Sequence, residues 1–521
     1  MSATPTPAPA SGTVGTAPGQ QPSAAAPDRE PWWRLRRADL LALWVWAASR
    51  VVMLAISLAA LATQHGTSWL GLWQRWDWDR YLTIAEYGYT SGKGPAYDSD
   101  IVAFFPGYPM ALRAVHLVVR NWVASGLLIS LVAGAVACIA LARLTQFEWR
   151  ARRASADGQP ARDDSGRAAV TAVLLLVCAP AAVFLAAGYT ESLFLAFGIP
   201  AWLAARRRRW VLAGVLTALA CTVRIDGAFE AAGIAVMFLL SRPRARDWAR
   251  SPALALPLAA IGGYMAYLRD ITGDWLAWIH AEQQGWSRRL TSPVTAFRNS
   301  WDNAFGSGFM SGGGFRLGRG GGSAGGGFGT GSGGATQGRQ SGVLPGGGTA
   351  GGNPGGFGQG GFGQGSVGQR GGLGQQGSLG QGAGGPGGGS PGGGTAPGAG
   401  SASAHAQHAF PGGGLGGVGT FGPWPFRLDI LVVAAGVAFA AWAVFRRRWA
   451  ELVYVGIAVV SLGTSTYYMS VAREALLWWP LGIALALWLG RRRWLTGLCV
   501  AASGAVMVGI SWLFLTGGWA G

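Results

Sequence analysis

The chain has 521 residues, half of them hydrophobic and only 12% charged. An ordinary soluble domain carries about 25% charged residues, so a water-soluble globular protein is excluded. The net charge of +18 does not point to nucleic acid: most arginines cluster at the ends of apolar runs, the positive-inside pattern of a membrane protein.

Residues 1–27 are mainly Ala, Pro, Ser, Thr and Gly, and 1–37 reads as a disordered cytoplasmic N-terminal tail ending in the Arg34, Arg36, Arg37 cluster. Eleven apolar runs follow: 38–62, 122–142, 168–187, 192–205, 210–224, 228–241, 253–268, 428–445, 452–468, 475–490 and 495–515. Their length and composition predict an all-α, polytopic membrane protein with about eleven transmembrane helices. The first run ends in Ala60-Leu61-Ala62, but its apolar core is too long and its leader too extended for a cleaved signal, so it reads as an uncleaved helix. With the N-terminus in the cytoplasm, alternation puts Arg206–Arg209, Arg446–Arg448 and Arg491–Arg493 inside and the C-terminus outside. The first outer loop is then 63–121, within which 104–121 reads as either an amphipathic surface helix or part of another span. The plasma membrane is the expected location. Membrane lipids are expected partners, and nucleic acid is not.

Residues 306–422 are Gly-rich, with Ser, Gln, Pro and imperfect Gly-Phe-Gly-Gln-Gly repeats. They lack a strict Gly-X-Y period, which excludes collagen. Such a segment buries too little apolar surface to offset its ordering entropy, so it reads as a large disordered extracytoplasmic insert. It separates a membrane region at 38–305 from C-terminal transmembrane helices at 423–521. Cys138, Cys178, Cys221 and Cys499 are spaced for neither zinc nor a disulfide framework.

The outer loops carry the chemistry-bearing residues. Arg75-Trp76-Asp77-Trp78-Asp79-Arg80-Tyr81 crowds two acids, two arginines and three aromatics together just after the first span. Glu86, Asp98, Asp100, Glu191, Asp226, Asp270, Asp274 and Glu282 map to the same side. Glycosyl transfer needs a base for the acceptor hydroxyl and help for a departing phosphate. Asp77 is the candidate base. Arg75, Arg80, Arg224 and Arg473 are candidates for the anionic leaving group, with Arg288 and Arg289 nearby in sequence. Asp77 and Asp79 would share a face in an extended segment, where a divalent cation is an option, and diverge on a helix. No other cofactor or metal is indicated. Arg50, deep in the first span, either pairs within the bundle or meets a lipid phosphate.

Several separated motifs resemble one family. Arg75-Trp76-Asp77, Tyr81, Ile84-Ala85 and Gly88-Tyr89 resemble the first outer loop of PIG-V-like mannosyltransferases. Ala103-Phe104-Phe105-Pro106-Gly107-Tyr108-Pro109, Tyr189-Thr190-Glu191-Ser192-Leu193-Phe194, Arg224 with Gly227, and Thr272-Gly273-Asp274 with Trp278 and His280 are similar to motifs that follow there in the same order. The resemblance implies a GT-C glycosyltransferase with a multi-helix membrane body. It implies a polyprenyl-phosphate sugar donor and inversion at the anomeric carbon. Asp77 matches the family's acid, and Arg224 and Arg473 would lie near the donor phosphate. Tyr189 and Glu191 would line the sugar pocket, with Arg75, Asp79, Arg80 and Tyr81 beside it. A glycolipid, a wall polymer or a protein would be the acceptor. The insert and the heavy arginine usage point to a GC-rich bacterium, which argues against a GPI anchor as acceptor. The rival readings are a transporter or flippase for a lipid-linked glycan, and a non-catalytic membrane scaffold.

Overall fold

In the computed structural model the described residues are 34–90, 100–154, 164–306, 424–490 and 492–518. They are all helical, with one isolated β-bridge between Leu290 and Ser465 and no strand. Residues 1–33 of the expected N-terminal tail, Asp98, Arg491 and all but the first residue of the Gly-rich insert lie outside them, while the end of that tail is ordered, with Arg36 capping α1 and Arg37 opening it. In chain order the helices are α1 (Arg37–Thr63), α2 (Trp78–Tyr87), α3 (Gly107–Val119), α4 (Trp122–Ala154), α5 (Ser165–Val177), α6 (Thr190–Arg206), α7 (Trp210–Val223) and α8 (Asp226–Leu240). There follow α9 (Ala245–Trp248), α10 (Leu256–Thr272), α11 (Ala277–Trp286), α12 (Pro293–Phe305), α13 (Trp424–Phe445), α14 (Trp449–Gly463), α15 (Val471–Glu474), α16 (Trp479–Leu489) and α17 (Arg493–Leu515).

Five helical stretches are long and apolar enough to cross a membrane: Arg37–Thr63, Trp122–Arg153, Ser251–Thr272, Trp424–Phe445 and Arg493–Leu515. A sixth is counted if Val471–Leu477 and Trp479–Leu489, bent by 75°, form one broken span. Helices α5, α7 and α14 are shorter apolar helices. The first helix shows how such a bundle is built. Its Ala42, Trp46, Met53 and Ala60 are buried, whereas Trp44, Val51 and Leu58 are at least half exposed. An apolar side chain exposed this way is at home against lipid. Trp46 seats on Gly134 of α4, where a Cβ would come within 2.2 Å of the ring, and its indole donates to the Leu131 carbonyl at 3.1 Å. Arg50 stacks on the Trp46 ring at 3.8 Å and shares Ser49 Oγ at 3.3 Å. No carboxylate meets it among the described residues.

The predicted run 168–187 is not one helix. Pro180 lacks an amide hydrogen and blocks the preceding turn, so α5 stops at Val177 and the chain continues as a 3-10 turn over Ala182–Leu185. Its freed carbonyls are met by neighbouring hydroxyls: Ser503 donates to Cys178 O at 2.7 Å, Ser192 to Leu185 O at 2.9 Å and Ser130 to Ala187 O at 2.6 Å. Non-helical backbone is tolerated inside a membrane protein where such partners exist. Segment 104–121 becomes α3, whose Tyr108, Pro109 and Leu112 are buried while Leu117 and Val118 are exposed.

The arginine clusters share one end of the bundle. Glu148 of α4 pairs with Arg206 at 2.7 Å and Arg448 at 2.8 Å. Asp247 takes Arg208 at 2.6 Å, and Asp39 takes Arg143 at 2.7 Å. From that end α7 climbs to Arg224, α8 leaves Asp226 in the opposite direction, and α6 begins at Thr190 beside them. Thr190, Arg224 and Asp226 therefore lie at the other end.

Candidate active site

A cavity of about 170 Å³ opens at that end. Its charged lining comes from five places in the chain: Asp77 before α2, Arg224 and Asp226 at the α7–α8 turn, Glu282 on α11, Arg288 just after α11, and Arg473 and Glu474 on α15.

Asp77 is the N-cap residue of α2, and its carbonyl accepts the amides of Arg80 and Tyr81 at 3.1 Å each. An aspartate there ordinarily caps with its side chain, but this carboxylate makes no capping bond. Oδ2 instead accepts Arg473 Nη1 at 2.6 Å, and Oδ1 has no hydrogen-bond partner among the described residues. Two strained residues frame the pair. Trp76 has φ +54° and Ser470 φ +61°, a region that costs a side-chain-bearing residue energy and recurs at functional sites. Asp429 of α13 holds the second segment by accepting the Ala472 amide at 2.9 Å.

Arg473 joins Asp77 to the rest of the network. Its Nε donates to Glu191 Oε1, and its guanidinium lies 4.8 Å from the centroids of both Phe184 and Tyr189. Glu191 is completely buried, and the same oxygen accepts Arg224 Nη1 at 3.2 Å. Arg224 also donates to Thr190 Oγ1 at 2.8 Å, Asp226 at 3.1 Å and Glu474. Two arginines are thus enclosed by four carboxylates: Asp77, Glu191, Asp226 and Glu474.

The structure brings some of the sequence candidates together and separates others. Asp77, Tyr81, Tyr189, Arg224 and Arg473 line the cavity. Glu191 lies behind it and braces both arginines. Arg75 donates to the Leu515 carbonyl at 2.9 Å and ties the first loop to α17, while its own carbonyl accepts the Tyr189 hydroxyl at 2.5 Å. Arg80 pairs with Asp100 at 3.7 Å, off the lining. Asp79 falls in the first turn of α2 and is exposed, so the two acids of the D-x-D arrangement do not converge. Among the described residues no group of three or more His, Cys, Asp or Glu side chains is placed to hold a metal. The Thr272-Gly273-Asp274 motif divides too. Asp274 accepts the Leu276 amide at 2.9 Å and contacts His280 Nδ1 at 2.5 Å at the surface, whereas Trp278 reaches the cavity.

Several lining residues went unassigned in the sequence. Glu474 gave a signal through its position beside Arg473, and Asp226 through its position after Arg224. Phe184 gave none, because it lay within an expected continuous span. Burial raises the Glu282 carboxyl above its ordinary range; Arg288 opposes the rise, and Asp77 and Glu474 add to it.

With this geometry in view, the comparisons with known proteins are specific. Residues 50–241 match the family described as Mannosyltransferase (PIG-V). The matched segment contains Asp77, Tyr189, Glu191, Arg224 and Asp226; Glu282, Arg473 and Glu474 lie beyond it. The GPI alpha-1,6-mannosyltransferase 2 of Rattus norvegicus is 35% identical over 199 residues, which is 38% of this chain and 37% of that one. The Mus musculus protein of the same name is 38% identical over 158 residues, 30% of each chain. The Cricetulus griseus protein is 34% identical over 203 residues, 38% of this chain and 37% of its own. The chain thus spans little more than a third of the length of the curated relatives it matches. No solved structure matches.

Proposed function

We propose that the protein is a plasma-membrane mannosyltransferase that moves a mannosyl unit from a polyprenyl-phosphate donor to an acceptor hydroxyl on the extracytoplasmic face. The observation that carries this reading is Asp77. It is the acid of a family-like first-loop motif, it lines the cavity, and it keeps one carboxylate oxygen unclaimed while Arg473 holds the other.

The chemistry follows from that placement. The acceptor oxygen attacks the anomeric carbon as its proton passes to Asp77, and the bond to the phosphate oxygen breaks with its electrons leaving on the phosphate. One base and one departing group amount to direct displacement with inversion. Arginine suits a departing phosphate because its planar fork binds the oxygens in pairs. Of the three cavity arginines, Arg288 meets Glu282 loosely at 3.5 Å, whereas Arg224 and Arg473 already satisfy carboxylates, so a phosphate that engages either of these two draws it from a carboxylate. Arg473 is the economical choice, since its move toward phosphate also uncovers Asp77. Glu191 and the Tyr189 ring keep it in place meanwhile. In this reading all eleven apolar runs cross the membrane. The N-terminus and arginine clusters are cytoplasmic, and the Gly-rich insert lies on the outer side.

Asp77→Asn keeps the shape and removes the base. Membranes carrying this variant are expected to show normal expression and insertion but to lose incorporation from labelled polyprenyl-phosphate mannose by about 10²–10⁴-fold. Unchanged incorporation would remove Asp77 from the reaction.

A further inference from the structure

Helix α12 is fixed at both ends to one rim of the bundle. The Thr291 amide, just before it, donates to the Thr464 carbonyl at 2.7 Å, one residue past the end of α14. The Ala304 carbonyl accepts Arg427 Nε at 3.0 Å, in the first turn of α13. The turn at Arg446–Arg448 joins α13 to α14, so the start of one and the end of the other share the opposite end, where the cavity lies. A helix of 13 residues, about 20 Å long, tied twice to that rim runs along it. Its faces differ. Ala296, Ser300 and Ala304 are buried, whereas Val294, Phe297, Trp301 and Phe305 are exposed. The aromatics form a ladder, with centroids 5.6 Å apart from Phe297 to Trp301 and 4.4 Å apart from Trp301 to Phe305. Helical spacing puts Thr295 on the far side from Phe297, with Arg298 and Asp302 between them.

Arg427 shows what covers the ladder. Its guanidinium lies 4.8 Å from the Phe305 centroid, and it heads an exposed face of α13 that continues through Leu431 to Phe445. Helix α13 is long and apolar enough to cross a membrane, so that face meets acyl chains, and the ladder joins it where the span ends. Aromatics on one side and charges on the other suit a helix lying in the lipid–water interface. A second copy of the chain would have to displace the lipid that continues down α13. Helix α12 also holds the segment leading to Arg473. Asn299 Nδ2 donates to the Thr466 carbonyl at 2.8 Å, and Ser300 Oγ accepts the Tyr468 amide at 2.7 Å. The strained Ser470 and then Arg473 follow. We infer that Val294, Phe297, Trp301 and Phe305 sit in the phospholipid surface at the cavity end, and that this lipid contact steadies the 464–470 segment that presents Arg473.

The test uses the full chain in vesicles of phosphatidylcholine and phosphatidylglycerol. Phe297→Cys and Thr295→Cys each carry an environment-sensitive fluorophore, and the signal of the unsubstituted chain is subtracted. The label at 297 is expected to emit to the blue and to lose intensity when nitroxide-bearing phosphatidylcholine replaces part of the lipid; the label at 295 is expected to do neither. Indistinguishable signals at the two positions overturn the lipid contact. A blue shift at 297 that nitroxide lipid leaves unquenched overturns it too: a second copy covers the face if dilution into excess lipid removes the shift, and the chain's own residues do if it persists. The link to Arg473 is read by amide hydrogen exchange in the same vesicles. Phe297→Gln with Trp301→Gln should speed exchange over 464–470 and leave α14 unchanged. Phe297→Leu with Trp301→Leu should keep wild-type exchange, because lipid asks only for an apolar side chain. Equal exchange in all three chains overturns the link, and equal loss of protection in both pairs overturns lipid as its cause. Each labelled chain changes a single exposed side chain, so the lipid contact is tested even if the glutamine pair misfolds.

Discussion

Glu191 and Arg473 are the side chains on which the ion network depends. Glu191 is wholly buried and serves two arginines through one oxygen. Removing one partner of such a pair leaves a buried charge uncompensated, which costs about 3–5 kcal/mol. Arg473→Gln should therefore lower the melting temperature of the detergent-solubilised protein, and adding Glu191→Gln should recover part of the loss. Independent, additive effects of the two changes would show that the contact carries no energy. Glu282 sets a pH dependence of stability. Burial raises its folded-state pKa, with Arg288 opposing and Asp77 and Glu474 reinforcing. Its protonated form therefore suits the fold, and stability is lost as pH rises through the raised value, above the ordinary glutamate range near about 4.3. Glu282→Gln should melt with the wild type at acid pH and above it as pH increases. The sequence made Asp77, Arg224 and Glu191 visible because each stands in a motif with aromatic or hydroxyl neighbours. Glu282 was one acid among many, since nothing local tells a cavity carboxylate from a solvated one.

At the scale of elements, the cavity owes its floor to a broken helix. Pro180 ends α5, and the 3-10 turn that follows delivers Phe184 and Tyr189 to Arg473. Hydropathy reads that stretch as one span because its side chains are apolar throughout; only the proline and the serines that satisfy the freed carbonyls mark the break, and those serines lie on other helices. Close packing fixes the turn. Gly188 lies under the buried Trp78 of α2, where an added Cβ would fall 2.6 Å from the ring. Gly188→Ala should destabilise the protein by about 1–3 kcal/mol through overpacking, measured as a lower melting temperature. An unchanged value would mean that the α2 contact is looser than the geometry requires. The D-x-D arrangement shows the opposite limit: the residues were legible, but whether they converge depended on α2 beginning at Trp78.

At the scale of the molecule, every one of the eleven apolar runs meets a helix, while length and composition alone qualify five as spans, or six with the bent pair. The arginine clusters were legible as topology, and Glu148 joins two of them at one end. The cavity was less legible because its charged wall is assembled from residues as distant as Asp77 and Arg473, on either side of the Gly-rich insert. If that insert is only a loop expansion, deleting 306–422 should leave transfer intact, whereas loss of transfer in a correctly inserted deletion would assign it a part in the site. The central claim is that Asp77 takes the acceptor's proton. It is tested most directly by the single-turnover rate of the purified protein with saturating donor and acceptor, comparing wild type with Asp77→Asn. The account predicts a rate lower by about 10²–10⁴-fold, with donor affinity no weaker because Arg473 is freer to meet the phosphate. An unchanged rate, or a defect confined to donor affinity, would contradict it.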